Sequence, residues 1–150
     1  MFDIRPAVVS DLEDIHKVGN TVPEFEVSEA TVSFWPKEVL QNAIISEEVI
    51  VLVAELGPEL CGFIIASYSA GLRKTTIENI YVKPDKRGQG CADALLENLE
   101  KNLREKGCDY IATLVPPTAS GAIELYERRG FSKGHTFLWM DKSLGEAFST

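Results

Sequence analysis

The chain has 150 residues, of which 45% are hydrophobic, 25% charged and 9% aromatic. That length and balance suit one globular domain burying about two-thirds of its unfolded surface, and exclude a disordered tail, a collagen-like fibre or a coiled coil. A formal net charge of −8 argues against nucleic acid as the main partner, because phosphate binding needs clustered Lys and Arg.

No apolar run approaches the ~18 residues of a membrane span. The start, Met1-Phe2-Asp3-Ile4-Arg5, lacks the features of a signal peptide. Cys61, Cys91 and Cys108 have neither metal-like nor redox-like spacing, so reduced thiols in a cytoplasmic protein are expected, with no metal and no membrane. The charge is lopsided: residues 1–60 carry −9 and the remainder +1. Either the N-terminal helices present a solvated acidic face, or the two halves take ligands of opposite sign.

In chain order, Phe2 to Arg5 reads as a first strand before Pro6. Ser10 or Asp11 then caps a helix to about Val18, with Leu12 and Ile15 on its apolar face. Residues 21–36 have no clean period but carry Phe25, Phe34 and Trp35, which suits a loop or short helix over a pocket. Lys37 to Ser46 is helical by its stripe of Val39, Leu40, Ala43 and Ile44.

Val49 to Ala54 is a β-branched run, a strand buried on both faces. Gly57-Pro58 turns it into a hairpin partner over Leu60 to Tyr68. Thr75 to Val82 is a further strand. Ala92, Leu95, Leu96, Leu99 and Leu103 then form an amphipathic helical stripe, with Glu97/Lys101 and Glu100/Arg104 as i,i+4 pairs and Gly107 as its stop. Tyr110 to Val115 is a strand, Ser120 to Arg129 a short helix ending at Gly130, Phe137 to Met140 a last strand, and residues 144–150 a loose tail. The order β-α-α-β-β-β-α-β-α-β, without repeats or linkers, describes a single mixed α/β domain over residues 1–150.

Two features of this middle region point to a ligand. Ile80 and Val82 share a face under strict alternation, whereas Ile77 falls on the other. The three-residue step fits a β-bulge near Glu78-Asn79, which would splay the strand from its neighbour; a strand buried on both faces is the alternative. Immediately after it, Arg87-Gly88-Gln89-Gly90-Cys91-Ala92 opens the long helix. Free amides at a helix start, approached closely through glycine and flanked by Lys83, Lys86 and Arg87, suit an anion such as a pyrophosphate; the alternative is a plain turn. The P-loop ending is absent, since Gly90 is followed by Cys91-Ala92, and the third glycine of a dinucleotide fingerprint is replaced by Asp93.

Arg87-Gly88-Gln89-Gly90-Cys91-Ala92 resembles the Arg/Gln-x-x-Gly-x-Gly/Ala signature of the GCN5-related N-acetyltransferases (GNAT). About forty residues on, Ala122-Ile123-Glu124-Leu125-Tyr126 to Gly130-Phe131 resembles that family's second signature, Ala-Ile-x-Leu-Tyr-x-x-x-Gly-Phe. The resemblance covers nearly the whole chain and is weakest over residues 20–36. It implies the GNAT fold: a mixed, mostly antiparallel sheet of six to seven strands with about four helices, and a V-shaped splay between strands 75–82 and 110–115.

It further implies acetyl-CoA as co-substrate and an amine acceptor, either a small molecule or a peptide N-terminus, with direct attack in a ternary complex. The pantetheine arm would pair with Ile80, Tyr81 and Val82, and the pyrophosphate would sit on Arg87, Gly88, Gln89, Gly90, Cys91, Ala92 and Asp93. Tyr126 matches the residue that protonates the departing thiolate, unless it is only a packed helix tyrosine. Glu78, at the suspected bulge, is the candidate base, with a water chain as the alternative; Asn79 would only line the site. The family's usual asparagine is Ala119 here, which removes one cofactor contact. Dimers are common in the family, so a homodimer is allowed. His16 and His135 read as surface or structural histidines, and Cys91 as a loop position rather than a nucleophile.

Two other readings stay open: a protein N-terminal α-amino acetyltransferase, and a non-catalytic acyl-CoA-binding regulatory module. The acidic N-terminal half, with Glu24, Glu26 and Glu29 interleaved among Val22, Phe25 and Val27, favours a cationic acceptor.

Overall fold

The computed structural model describes residues 1–25 and 34–145. Five strands form one sheet in the order β1-β2-β3-β4-β5. These are β1 (Asp3–Pro6), β2 (Val49–Leu56), β3 (Glu59–Ser69), β4 (Lys74–Val82) and β5 (Tyr110–Thr113). The first four pair antiparallel, and β4 pairs parallel with β5. Among the described residues four α-helices accompany them: α1 (Leu12–Gly19), α2 (Lys37–Ile45), α3 (Cys91–Glu105) and α4 (Ser120–Arg128). Among the described residues no helix is long and apolar enough to cross a membrane.

The β-branched run of β2 forms an inner strand of the sheet, its side chains alternating between two covered faces. Ile50, Leu52 and Ala54, with Ile64 and Ala66 of β3, pack against Leu95, Leu96, Leu99 and Leu103 of α3 and Tyr126 of α4. Val51 and Val53, with Phe63 and Ile65, pack against Leu12 and Ile15 of α1, Phe34, and Leu40 and Ala43 of α2. The chain is thus three layers, helices on both faces of a mixed sheet. The apolar stripes expected for α1, α2 and α3 are the faces that are buried.

Two expectations change. The sheet has five strands among the described residues rather than six to seven, because Phe137 to Met140 joins no strand. Residues 146–150 of the expected loose tail lie outside the described residues. Asp11 does not cap α1 through its side chain. Arg5 engages its carboxylate instead in a bidentate pair at 2.7 and 2.9 Å, and the Val8 amide donates to it at 2.8 Å. Arg5 also pairs with Glu55, so one guanidinium ties β1, β2 and the turn before α1. The Asp11 carboxyl is held below its ordinary range chiefly by the Arg5 hydrogen bonds, against the opposing effect of burial. Of the two pairs expected on α3, Glu100–Arg104 forms, at 3.8 Å; Glu100 also meets Arg129 of the α4 end at 3.4 Å.

Candidate active site

The expected bulge is present at Glu78. Antiparallel register between β3 and β4 runs from Ser69↔Lys74 to Ala66↔Ile77, then resumes at Ile65↔Asn79 and continues to Gly62↔Val82. Glu78 is the extra residue and is exposed. The inserted residue reverses the alternation, which is why Ile77, Ile80 and Val82 all meet the α3-side core.

On its other edge β4 pairs with β5 only from Lys74↔Tyr110 to Ile77↔Thr113. The Thr113 hydroxyl donates to the Ile77 carbonyl at 3.2 Å, and there the pairing ends. From Glu78 to Val82 the β5-facing edge of β4 has no strand partner among the described residues. Bulge and lost pairing coincide, opening a V whose apex is at Ile77 and Thr113.

The V leads to the glycine-rich loop. Gly88 and Gly90 adopt φ of +73° and +86°, the left-handed region that side chains disfavour. Gly90 is the N-cap of α3 and no side chain caps the helix. The first backbone bond of the helix is Ala94 N–H to Gly90 O at 3.0 Å. Among the described residues, the amides from Gly88 to Asp93 therefore donate to no backbone carbonyl. Uncapped amides at the positive end of a helix dipole are suited to phosphate oxygens.

The cations around this loop differ in availability. Arg87 folds back, its Nε donating to Val82 O at 2.9 Å while its guanidinium stands 5.8 Å from the Tyr81 ring centre. Lys83 and Lys86, expected as loose positive charge, both reach the Glu59 carboxylate, at 3.4 and 3.5 Å. Glu59 raises the Lys86 pKa, with a smaller contribution from Asp85. Gln89 holds the loop by donating to Asp85 O at 3.1 Å.

Asp93 would oppose an anion, but Arg128 of α4 pairs with it at 2.9 Å. Arg128 is a loop-side residue the sequence reading missed. The spacing of 35 residues gives no local signal; only the packing of α4 beside the start of α3 brings the two together. Cys91 is buried, and its thiol is pushed up to about 11, first by desolvation and then by Cys61. A buried thiol with a raised pKa is poorly suited to nucleophilic attack.

Tyr126 reaches the apex of the V from α4. Its ring lies edge-on to Phe131 with centres 5.1 Å apart. Burial pushes its phenol above the ordinary value of 10, and a hydrogen bond with Thr113 pulls the other way. Thr113 thus connects the phenol to the last paired residue, Ile77, next to Glu78. Ala119 is the N-cap of α4 and makes no side-chain cap.

On the face of the sheet away from α3 lies an aromatic row. Phe25 stacks on Phe34 (5.7 Å between centres), Phe34 meets Phe63 (5.8 Å), and Phe63 meets Tyr81 (5.8 Å). Trp35 Nε1–H donates to Asn79 Oδ1 at 2.8 Å. This row links the segment before α2 to β4, a connection invisible in the local sequence. Glu26 and Glu29 of the expected acidic rim lie outside the described residues, as does the Glu24 side chain. His16 faces Asn20 at its own helix end, and His135 is exposed; among the described residues neither joins the V. Among the described residues no group of three or more His, Cys, Asp or Glu is placed to hold a metal.

A profile described as the acetyltransferase (GNAT) family matches residues 12–131. The chain is 34% identical over 95 residues to the acetyltransferase SG1711 of Sodalis glossinidius, covering 63% of this chain and 66% of that protein. It is 35% identical over 86 residues to the streptothricin acetyltransferase of Streptomyces lavendulae, covering 57% of this chain and 43% of that protein. The chain therefore spans just under two-thirds of the first relative's length and less than half of the second's. Its fold is similar to that of the PaiA N-acetyltransferase of Thermoplasma acidophilum, solved in complex with coenzyme A, with a TM-score of 0.78 and 25% identity over 91% of this chain and 93% of that one. With the bulge, the V and both signatures in place, the chain belongs to the acetyltransferase (GNAT) family.

Proposed function

We propose that the protein is an acetyl-CoA-dependent N-acetyltransferase acting on a primary amine by direct transfer in a ternary complex. One observation carries the reading: the bulge at Glu78 opens an unpaired strand edge that runs directly into an uncapped, glycine-entered helix start. An extended amide-bearing chain fits the strand edge and a pyrophosphate fits the helix start, so a molecule joining the two chemistries fits the whole. In this reading backbone groups of Ile80, Tyr81 and Val82 bind the pantetheine arm. Amides from Gly88 to Asp93 bind the pyrophosphate, with Arg87 placed beside them.

The chemistry is a substitution at the thioester carbonyl. The amine nitrogen bonds to the carbonyl carbon, the carbon–sulfur bond breaks, and an amide and a thiol result. Glu78 accepts the proton the amine must lose, directly or through water, and the Tyr126 phenol supplies the proton taken up by sulfur. Burial favours the protonated phenol, the form a general acid needs. The remaining acceleration comes from holding amine and thioester together away from water. The exposed Glu78 beside the V and the acidic N-terminal half suit an acceptor with a cationic amine. Cytoplasmic location is supported by the three free cysteines, and assembly as a homodimer is part of the reading.

The test is thiol release from acetyl-CoA with a panel of amines and basic peptides, alongside calorimetric titration of CoA. Binding with amine-dependent thiol release supports an enzyme. Binding without release from any amine would favour an acyl-CoA sensor.

A further inference from the structure

Among the described residues nothing holds the Glu78 carboxylate: the side chain is exposed and enters no hydrogen bond or ion pair. Its position is therefore set by the backbone of the bulge. A bulge leaves its extra residue unpaired and disrupts the ladder locally, so a base carried on one needs its neighbours fixed. Here each neighbour is. On the N-terminal side the Ile77 carbonyl accepts from the Thr113 hydroxyl at 3.2 Å. On the C-terminal side Asn79 Oδ1 accepts from the Trp35 indole N–H at 2.8 Å, across 44 residues of chain.

The second contact stands in apolar surroundings. Asn79 pairs with Ile65 across the sheet, and cross-strand partners share a face. That face belongs to the cluster of Ile65, Phe63 and Phe34, against which Trp35 and Tyr81 also pack. An apolar side chain would fill the place of Asn79 without a partner, whereas an amide there must have its hydrogen bond made. The donor is firmly presented. Trp35 precedes Pro36, which restricts the backbone before it. Pro36 is in turn the N-cap of α2, its carbonyl taking the Leu40 amide at 2.9 Å. The start of α2, the indole and the strand residue after Glu78 thus form one connected unit.

We propose that Trp35 is a positioning residue for acetyl transfer: its bond to Asn79 fixes the exit of the bulge and so aims the Glu78 carboxylate at the proton of the amine. In this role Trp35 touches neither reactant. It acts through Asn79 and the peptide joining Glu78 to Asn79, with Thr113 as the fixed point on the other side. The start of α2 thereby becomes a determinant of turnover as well as of packing. The inference rests on the proposed role of Glu78 as the base.

Trp35→Phe keeps an aromatic ring and removes the donor; Asn79→Leu removes the acceptor at similar volume. Each is measured alone, together and in a Glu78→Gln background, with acetyl-CoA and the most active amine of the panel. CoA is titrated by calorimetry for every variant. Each single change should lower kcat about 10-fold or more, within the ~10²-fold that a misplacement of ~1 Å can cost, and leave CoA affinity unchanged. The double variant should be no slower than the slower single, and in Glu78→Gln neither change should lower the rate further, because groups acting through one contact are not additive. Losses as large in Glu78→Gln as in the wild type would show that Trp35 acts by packing alone, and would overturn the proposal. So would wild-type kcat in both single variants; should one of them fail to fold, the other carries the same comparison. A readout free of turnover is amide hydrogen exchange followed by NMR. Trp35→Phe should speed exchange from Glu78 to Ile80 relative to Thr75 and Thr76, and unchanged exchange would also overturn it. A wild-type rate in Glu78→Gln itself would overturn the inference together with the base, leaving CoA binding and acetyl transfer through another proton acceptor untouched.

Discussion

The Thr113 hydroxyl donates to the Ile77 carbonyl at 3.2 Å, the last link between β4 and β5 before the two strands part. The same threonine lies beside the Tyr126 phenol and opposes the effect of its burial. One side chain therefore marks the apex of the V and touches the proposed acid. Thr113→Val keeps the β-branched shape and removes the hydroxyl. It should cost about 1 kcal/mol of stability, the scale of one hydrogen bond, but lower kcat more than that loss explains. Thermal melts and steady-state rates on the same preparation check it; an unchanged kcat would detach Thr113 from the phenol.

Tyr126→Phe should retain CoA binding and lower turnover ~10²-fold or more, the scale of a lost general acid. Its core packing, including the Phe131 contact, is kept by phenylalanine. An unchanged rate would leave Tyr126 a packing residue and assign the proton to water.

Glycine has two distinct roles at the cofactor end. At Gly90 a Cβ would meet nothing within 4 Å, but φ is +86°. Gly90→Val should therefore leave the core intact while forcing the loop from its conformation, and CoA affinity should collapse. At Gly62 a Cβ would lie 2.5 Å from Tyr81 O, so Gly62→Ala must displace β4 itself. That variant should lose about 1–3 kcal/mol and also bind CoA more weakly. Calorimetry on folded protein separates the two; full CoA affinity in Gly90→Val would contradict the anion site.

Much of this region was legible because local pattern and tertiary role coincide. The Ile77-Ile80-Val82 step encodes the bulge, and the glycine spacing encodes the loop. What was not legible depends on partners far along the chain. Asp11 has the chemistry of a helix cap, yet the Arg5 guanidinium, fixed by β1, captures it. Phe137 to Met140 has the pattern of a strand yet joins none among the described residues. Trp35–Asn79 and Arg128–Asp93 span 44 and 35 residues and leave no periodic trace.

The Arg5–Asp11 pair makes stability depend on pH with a definite sign. In the folded protein the Arg5 hydrogen bonds hold the Asp11 carboxyl below its ordinary value. Its contribution is therefore fully present above about pH 4 and is lost as pH falls through the lower folded value. Asp11→Asn should destabilise the protein by about 1–2 kcal/mol at neutral pH, between an exposed and a buried pair, and flatten the acid side of the melting curve. Equal acid sensitivity in the variant would assign that sensitivity to other carboxylates.

Residues 1–60 carry −9, and an acidic surround concentrates cations in a manner that weakens with salt. Cationic amines should have the higher kcat/KM at low salt, with the advantage shrinking at high salt. A preference for anionic amines, or equal rates without salt dependence, would contradict a cationic acceptor.

The central claim is that the V opened at Glu78 carries out acetyl transfer to an amine. Product analysis in a single turnover tests it most directly: enzyme saturated with acetyl-CoA is mixed with the best amine of the panel, and thiol and acetylated amine are quantified together. The account predicts one amide for each thiol released, with Glu78→Gln and Tyr126→Phe slowing both to the same extent. Thiol release without amide, or equal rates in all three proteins, would contradict it.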